Sequence, residues 1–523
     1  MTTTAWLWLA ALGPLALMGA AFDRRTALRV RGAATLAAAF ALAVSLVGLA
    51  ALVARGPLRT PSLSLAGIGF GLQLDAVSAP MFVLVAFIGL VVTAYSRHYL
   101  DGDPQQAAFV RKLAATIASV LFFVLAGNLF QAALAWFAAS LTLHGLLIFR
   151  RERRPAVLAA RKKFLVSRLG DALLAAAMAL IYAEAHTLDY AALFDFLRAE
   201  PPRPALQAAA VLAALAALVK SAQFPLQGWL LEVTETPTPV SALLHAGVIN
   251  AGGFLMLRLS PLVAASPAAL HILAVVGAAT AILGALAMLT QTSVKVSLAY
   301  STIAQMGFMM LECGLGVFSA ALLHLLAHSL YKAHAFLTSG SVIDIARAAW
   351  TPKLGIAPHP ARTLLATLAA VAIAAGAGLA LGERIERPGV LALGIILALG
   401  LVPLIANAID ERPDARVLAR TGLAALGVAV AYFGLQRGAA TLLAPALAPP
   451  PDMGALGLGI AVAIVAAFAL LTLFQALSPS LSSREWARAL YVHAANGFYV
   501  NTLANRALLA VWPAASARTG VSS

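Results

Sequence analysis

Long apolar runs separated by short polar loops fill the chain from one end to the other. A helix crossing a bilayer core about 30 Å thick needs about 20 such residues. On that measure the chain predicts about fifteen spans with loose boundaries: 5–21, 33–54, 74–96, 107–127, 129–149, 156–182, 205–222, 239–259, 267–290, 296–313, 317–342, 361–381, 388–408, 416–436 and 453–475. The runs are rich in Ala and Leu and lack period-2 alternation, which excludes a β-barrel. With no water to satisfy the backbone, helices are the remaining way across. The expected fold class is therefore an all-α polytopic membrane protein with 14–15 transmembrane helices. The glycine-rich, alternating segment 63–73 predicts a short hairpin outside the bilayer, and 483–512, with Trp, Tyr and Leu between spaced arginines, predicts an amphipathic helix at the interface or against a partner.

Composition sharpens this reading. The 523 residues are 62% hydrophobic and 11% charged, with a mean hydropathy of +0.90. Soluble domains carry about 25% charged residues, so no soluble core of this length hides so much apolar surface. The net charge of +15 suggests nucleic acid, but the basic residues lie in short loops between spans, where they set topology, and nucleic acid is excluded as a partner. Placing the N-terminus outside and the C-terminus in the cytoplasm puts most Lys and Arg inside, including the basic loop 150–163, and leaves the acidic loop 183–204 outside. The expected location is the cell inner membrane. The run Ala5–Ala21 is followed, not preceded, by arginines (Arg24 and Arg25), and reads as an uncleaved span. The single cysteine, Cys313, excludes a disulfide frame and a cysteine metal cluster.

Ionisable residues inside spans are expensive and mark function by default. Lys220 follows sixteen mostly apolar residues and precedes Pro225, with Gln223, Gln227 and Gly228 nearby. Proline breaks the span there, and a broken helix at membrane depth belongs where it is buried in protein or lines a wet cavity. A lysine at such a break can gain and lose a proton; the competing reading is a lysine snorkelling to the interface. Glu235 precedes a Pro-Thr-Pro helix start, and His245 lies about two turns inside the next span, as a proton relay or a core histidine bonded to a carbonyl. His324, His328 and Lys332 recur at i, i+4 and i+8 on one helix face, with His334 off the stripe. No cysteine or acid stands close by in sequence to complete a metal site, so the stripe reads as a hydrated proton path. Asp171 either pairs locally with Arg168 or reaches across to Lys220. Lys295, Ser297, Tyr300, Ser301, Thr302 and Gln305 give the following span a polar side.

Four segments, KSAQFPLQGWL, PTPVSALLHAG, VKVSLAYSTIAQMGFM and HLLAHSLYKAHAFLTSGSVI, together resemble the proton-translocating antiporter-like family of complex I membrane subunits and multisubunit cation/proton antiporters. The resemblance runs from Arg161 to Ile343. It implies two inverted five-helix repeats, at 106–260 and 267–410, between N-terminal helices (1–105) and a C-terminal part (411–523). It also implies relay roles for Lys220, His245, Lys332, His324, His328 and Asp171. Two departures stand out: Phe137 replaces the glutamate of the fifth span, and 361–381 has no lysine or glutamate for an exit. With the LYVHAANGFYVNTL tail, these resemble the DabB branch of inorganic carbon transporter subunits. That branch implies cation-driven bicarbonate and CO2 uptake with a DabA-like zinc protein. This chain would then be a transporter subunit rather than an enzyme, with no cofactor or metal of its own and the zinc in the partner. The alternatives are a proton-pumping complex I subunit, a cation/proton antiporter subunit and a membrane scaffold.

Overall fold

The computed structural model describes residues 2–24, 26–65, 68–149, 154–199, 203–233, 236–340, 360–382, 387–409, 414–481 and 483–512. The N-terminal part comprises α1 (Leu12–Phe22), α2 (Ala27–Arg55) and α3 (Ser78–Tyr99), then α4 (Gln106–Leu125) and α5 (Leu129–Leu147). Next come α6 (Arg154–Ala185), α7 (Tyr190–Ala199), α8 (Pro204–Lys220), α9 (Gly228–Glu232), α10 (Thr238–Ala246), α11 (Ala251–Arg258) and α12 (Ser260–Ala264). The third group is α13 (Pro267–Leu289), α14 (Val294–Gly314) and α15 (Phe318–Leu337). The last is α16 (Pro360–Ala380), α17 (Pro388–Ala408), α18 (Ala415–Leu443), α19 (Gly454–Leu481), α20 (Glu485–Ala495) and α21 (Val500–Val511).

Local chemistry sets several starts. Proline occupies the first turn of α8, α10, α13 and α17, where its missing N–H costs nothing. Asn128 and Ser266 accept from backbone N–H groups at the heads of α5 and α13. Each of the fifteen predicted runs contains a helix among the described residues. Among the described residues, twelve helical segments are long and apolar enough to cross a membrane. The other three runs hold α8, only 17 residues long, and α14 and α15, which carry the polar residues noted above.

The hairpin expected near 63–73 is present: Leu63–Leu65 pairs antiparallel with Ile68–Phe70. Beside it Leu58–Arg59 pairs antiparallel with Gln73–Leu74 and parallel with Thr2–Thr3. Two expectations are corrected. The basic loop 150–163 is not a loop throughout, because α6 begins at Arg154 and runs through Lys162 and Lys163, both buried. The tail 483–512 is two helices rather than one, parted by Gly497, Phe498 and Tyr499 in the left-handed region (φ 57°, 55° and 59°).

α13 and α14 pack backbone to backbone. A Cβ on Gly277 would fall 2.5 Å from Leu311 N, and one on Gly314 would fall 2.2 Å from Ala274 N. Small residues let membrane helices approach this closely. The pairing holds the polar side of α14 against α10 and α15.

Candidate ion-conducting axis

Two interrupted helices build the site. α8 stops at Lys220; the chain crosses Ser221–Gln227 without helix and resumes at α9. Pro225 supplies no backbone donor, and Ala222, fully buried, is left-handed at φ 51°. A non-glycine residue there costs about 1–2 kcal/mol, so the surrounding packing fixes this turn. The second interruption separates α10 from α11 at Gly247 and a 3-10 turn, Val248–Asn250. Ser221 Oγ donates to Ile249 O at 3.2 Å and ties the two breaks together.

Lys220 is largely buried within the helical bundle. Its side chain is 10% exposed, with Nζ 2.7 Å from Asp171 Oδ1 and 4.9 Å from the Trp136 ring centre. Asp171 Oδ2 is 2.6 Å from Arg168 Nη2, so the local pair and the cross-helix pair coexist. Lys220 also lines a cavity of about 40 Å³ with Lys163, Ser140, Ser167, Trp136 and Trp229. That volume admits a water molecule or two. Lys163 Nζ donates to Ser140 O at 2.6 Å and Ser140 Oγ at 2.9 Å. Sequence reading missed Lys163 because its partners lie on α5.

His245 is fully buried and stacked on Phe336, ring centres 4.2 Å apart. Its Nδ1 is 3.0 Å from Thr302 Oγ1, whose hydroxyl donates to Leu298 O at 3.1 Å. The threonine proton is thus committed, so Nδ1–H donates and the neutral ring keeps Nε2 as a bare acceptor. No protein group bonds that Nε2. Lys332, also fully buried, donates from Nζ to the same Leu298 carbonyl at 3.1 Å. His245 and Lys332 therefore converge on one carbonyl of α14. Asn250 Nδ2 bonds Ala246 O at 3.0 Å and Ser329 Oγ at 2.7 Å, joining the second break to α15 between His328 and Lys332.

Further along the α15 face, His328 is buried with Nε2 unpaired, its ring centre 6.1 Å from that of His324. His324 Nδ1 lies 3.0 Å from Glu312 Oε2, and its Nε2 lies 2.6 Å from Gln305 Oε1. No acid lies close to the histidines in sequence, but Glu312, at the end of α14, reaches the stripe across space. Among the described residues no three His, Cys, Asp or Glu side chains gather as metal ligands. Glu235 lies outside the described residues.

Two further charged clusters were not foreseen. Glu232 Oε1 accepts from Lys162 at 2.8 Å, Asn501 at 3.1 Å and Asn505 at 2.8 Å. The i, i+4 spacing of the asparagines was the available signal. Asp75, just before α3, holds Arg258 at 2.6 and 3.3 Å. Burial pushes the Asp75 carboxyl up, but the Arg258 guanidinium and bonds from Ser78 and Gln73 outweigh it and bring the pKa down to about 2.

Interrupted helices in a multi-pass bundle, with buried amines and imidazoles gathered at the breaks, define an antiporter-like membrane subunit. Residues 126–379 match the NADH:quinone oxidoreductase/Mrp antiporter transmembrane family, and 63–110 match the N-terminus of complex I chain 5. A probable inorganic carbon transporter subunit, DabB2 of Halothiobacillus neapolitanus, is 41% identical over 86% of this chain and 82% of its own length. The corresponding DabB of Hydrogenovibrio crunogenus is 36% identical over 86% and 85%. The chain belongs to the DabB family of inorganic carbon transporter subunits. NADH-quinone oxidoreductase subunit L of Mycobacterium tuberculosis is 39% identical over 53% of this chain and 44% of its own. In fold, the chain is similar to a subunit of the Mrp complex from Dietzia sp. (TM-score 0.57, 24% identity, 96% of this chain and 56% of that one).

Proposed function

We propose that this subunit conducts a cation, the proton by the chemistry of its relay, through the inner membrane and so drives inorganic carbon accumulation on a DabA-like zinc partner. The carrying observation is the row of buried ionisable groups. Lys220 with Asp171 stands at the first break, His245 is joined through Thr302 to the Leu298 carbonyl that Lys332 also bonds, and His328 and His324 continue the stripe. Keeping amines and imidazoles in a membrane interior costs several kcal/mol unless they serve a path. The bare Nε2 atoms of His245 and His328, and the unpaired amide of fully buried Gln227, are where waters would complete a proton wire. The repeats proposed at 106–260 and 267–410 would place both breaks in the first and the histidine stripe in the second. The N-terminus would face outward and the C-terminus the cytoplasm.

CO2 hydration and its zinc belong, in this reading, to the partner. The proton gradient would power uptake, and this chain would carry no catalysis. The 39% identity to complex I subunit L keeps one second reading, a proton-pumping subunit of complex I or of an antiporter. Against it, Phe137 stands where that family has a glutamate, and the Arg168 guanidinium lies over its ring at 4.2 Å.

The test is growth of a carbonic-anhydrase-deficient host in ambient air with both subunits expressed. Lys220→Ala is expected to abolish rescue while the complex still copurifies. Normal growth of that variant would sink the relay; copurification with quinone-reducing subunits would favour the second reading.

A further inference from the structure

We propose that Glu312 and His324 form the terminal proton station of the axis, where a proton is held at the end of the α15 stripe nearest the turn after α14. This rests on the conduction reading above. Glu312 is buried in the last turn of α14, and a carboxylate there needs a proton or a cationic partner. His324 supplies that partner: its Nδ1 faces Glu312 Oε2 at 3.0 Å and its Nε2 faces Gln305 Oε1 at 2.6 Å. The ring stands between a carboxylate oxygen and the Gln305 amide, a geometry that accommodates hydrogen on either nitrogen or on both. Transfer of the Nδ1 proton gives a neutral ring and a neutral acid, a second self-consistent state of the same pair. Both states satisfy the buried groups, which suits a site that must load and unload.

Position agrees with this role. His324 is the member of the α15 stripe nearest the helix N-terminus, ahead of His328 and Lys332. The turn after α14 carries Gly316 and Val317, which with Ser319, Gln436 and Arg437 line a cavity of about 680 Å³; Glu312 and His324 stand behind this turn and do not themselves line the cavity. In the cycle, Nδ1 passes its proton to Glu312 Oε2, and the acid releases it to water. The neutral ring then turns its bare nitrogen toward His328 and takes up the next proton through a water across the 6.1 Å ring separation. One proton enters and one leaves.

The experiment measures proton flux through the partner-bound complex in liposomes with a pH-sensitive dye. Glu312→Gln keeps size and loses the charge; flux is expected to fall about tenfold or more, and Glu312→Asp to stay within about threefold of wild type. His324→Gln is expected to match Glu312→Gln, and the double variant to be no worse than either, because the two act as one unit. Flux within about twofold of wild type for Glu312→Gln, with Lys220→Ala blocked, overturns the station and leaves the conduction reading standing. Wild-type flux in Lys220→Ala overturns the conduction reading itself. If Glu312→Gln fails to assemble, His324→Gln decides: wild-type flux there overturns the pairing, and a tenfold loss with Glu312→Asp still conducting supports it.

Discussion

Lys332 shows what single residues contribute here. Its ammonium is fully buried and its hydrogen bond goes to a carbonyl; among the described residues no carboxylate pairs with it. Such a group does little for stability, since exchange for an apolar side chain of similar size is often neutral or stabilising. Lys332→Met is therefore expected to leave the melting temperature of the detergent-solubilised complex unchanged or higher while abolishing flux. A matched fall in both would make Lys332 structural. Asp75 has the opposite balance. Its carboxyl, at about 2 in the fold against about 3.9 in an unfolded chain, gives stability that is full above pH 4 and lost as pH falls through 2. Asp75→Asn strands Arg258 and is expected to cost about 3–5 kcal/mol at neutral pH. The measurement is thermal unfolding from pH 7 down to pH 2, over which wild type should approach the variant as the carboxyl protonates. Lys220, His245 and the α15 stripe were legible in sequence because a charge inside an apolar run has no ordinary reason to be there. Lys163 and Glu312 were not, because each sits near the end of its run, where a charge is ordinary, and each meaning comes from a partner on another helix.

At the scale of elements, helices were read from apolar run length, and the first break from Pro225, since both are local properties of the chain. The span expected from 156 begins at Arg154, but Lys162 and Lys163 were counted with the basic loop and their burial was not foreseen. Their burial depends on Ser140 of α5 and Glu232 of α9, which no window around 150–163 contains. The second break, at Gly247, carries no proline and is set by packing around the Asn250 contact with Ser329. Helix contacts show the same dependence on distant sequence. Gly277 reads as one more small residue, yet a Cβ there would meet Leu311 N at 2.5 Å and Gly307 O at 2.6 Å. Backbone cannot give way as a side-chain tip can. Gly277→Ala is expected to cost about 1–3 kcal/mol by overpacking and to loosen α14 from α13. Because α14 presents Leu298, Thr302, Gln305 and Glu312 to the stripe, flux should fall with the melting temperature. Gly19 is a fair control: nothing lies within 4 Å of a Cβ there, and Gly19→Ala should leave both unchanged.

Across the whole molecule, the C-terminal helices connect parts that are far apart in sequence. Ala495 O accepts from Gln291 at 3.3 Å, Phe498 meets Phe224 of the first break edge-on at 6.5 Å, and Asn501 and Asn505 bond Glu232 of α9. Gly497 passes so near Tyr300 that a Cβ would fall 2.2 Å from the phenol oxygen. The inner face of α20 and α21 is thus fitted to the elements that carry the break beside Lys220. Their other residues include Trp486, Tyr491, Val492, Leu503 and Leu509, all exposed, among Arg484, Arg488 and Arg506. Aromatic and aliphatic side chains interleaved with arginines suit a membrane interface. A strap held in lipid on one face and bonded to α9 on the other limits how far the broken helix moves. Removing both amides in Asn501→Ala/Asn505→Ala leaves Glu232 with Lys162 alone and costs about 1–3 kcal/mol of docking. Helical content should be unchanged by circular dichroism, since neither asparagine bonds the backbone of its own helix in a way alanine disturbs. Protease should instead release the 483–512 segment faster while the transmembrane body stays intact, and flux should change because Trp229 of the same short helix lines the Lys220 cavity. Unchanged proteolysis and unchanged flux together would mean that the strap is held by its lipid face, and that Glu232 does not couple it to the break.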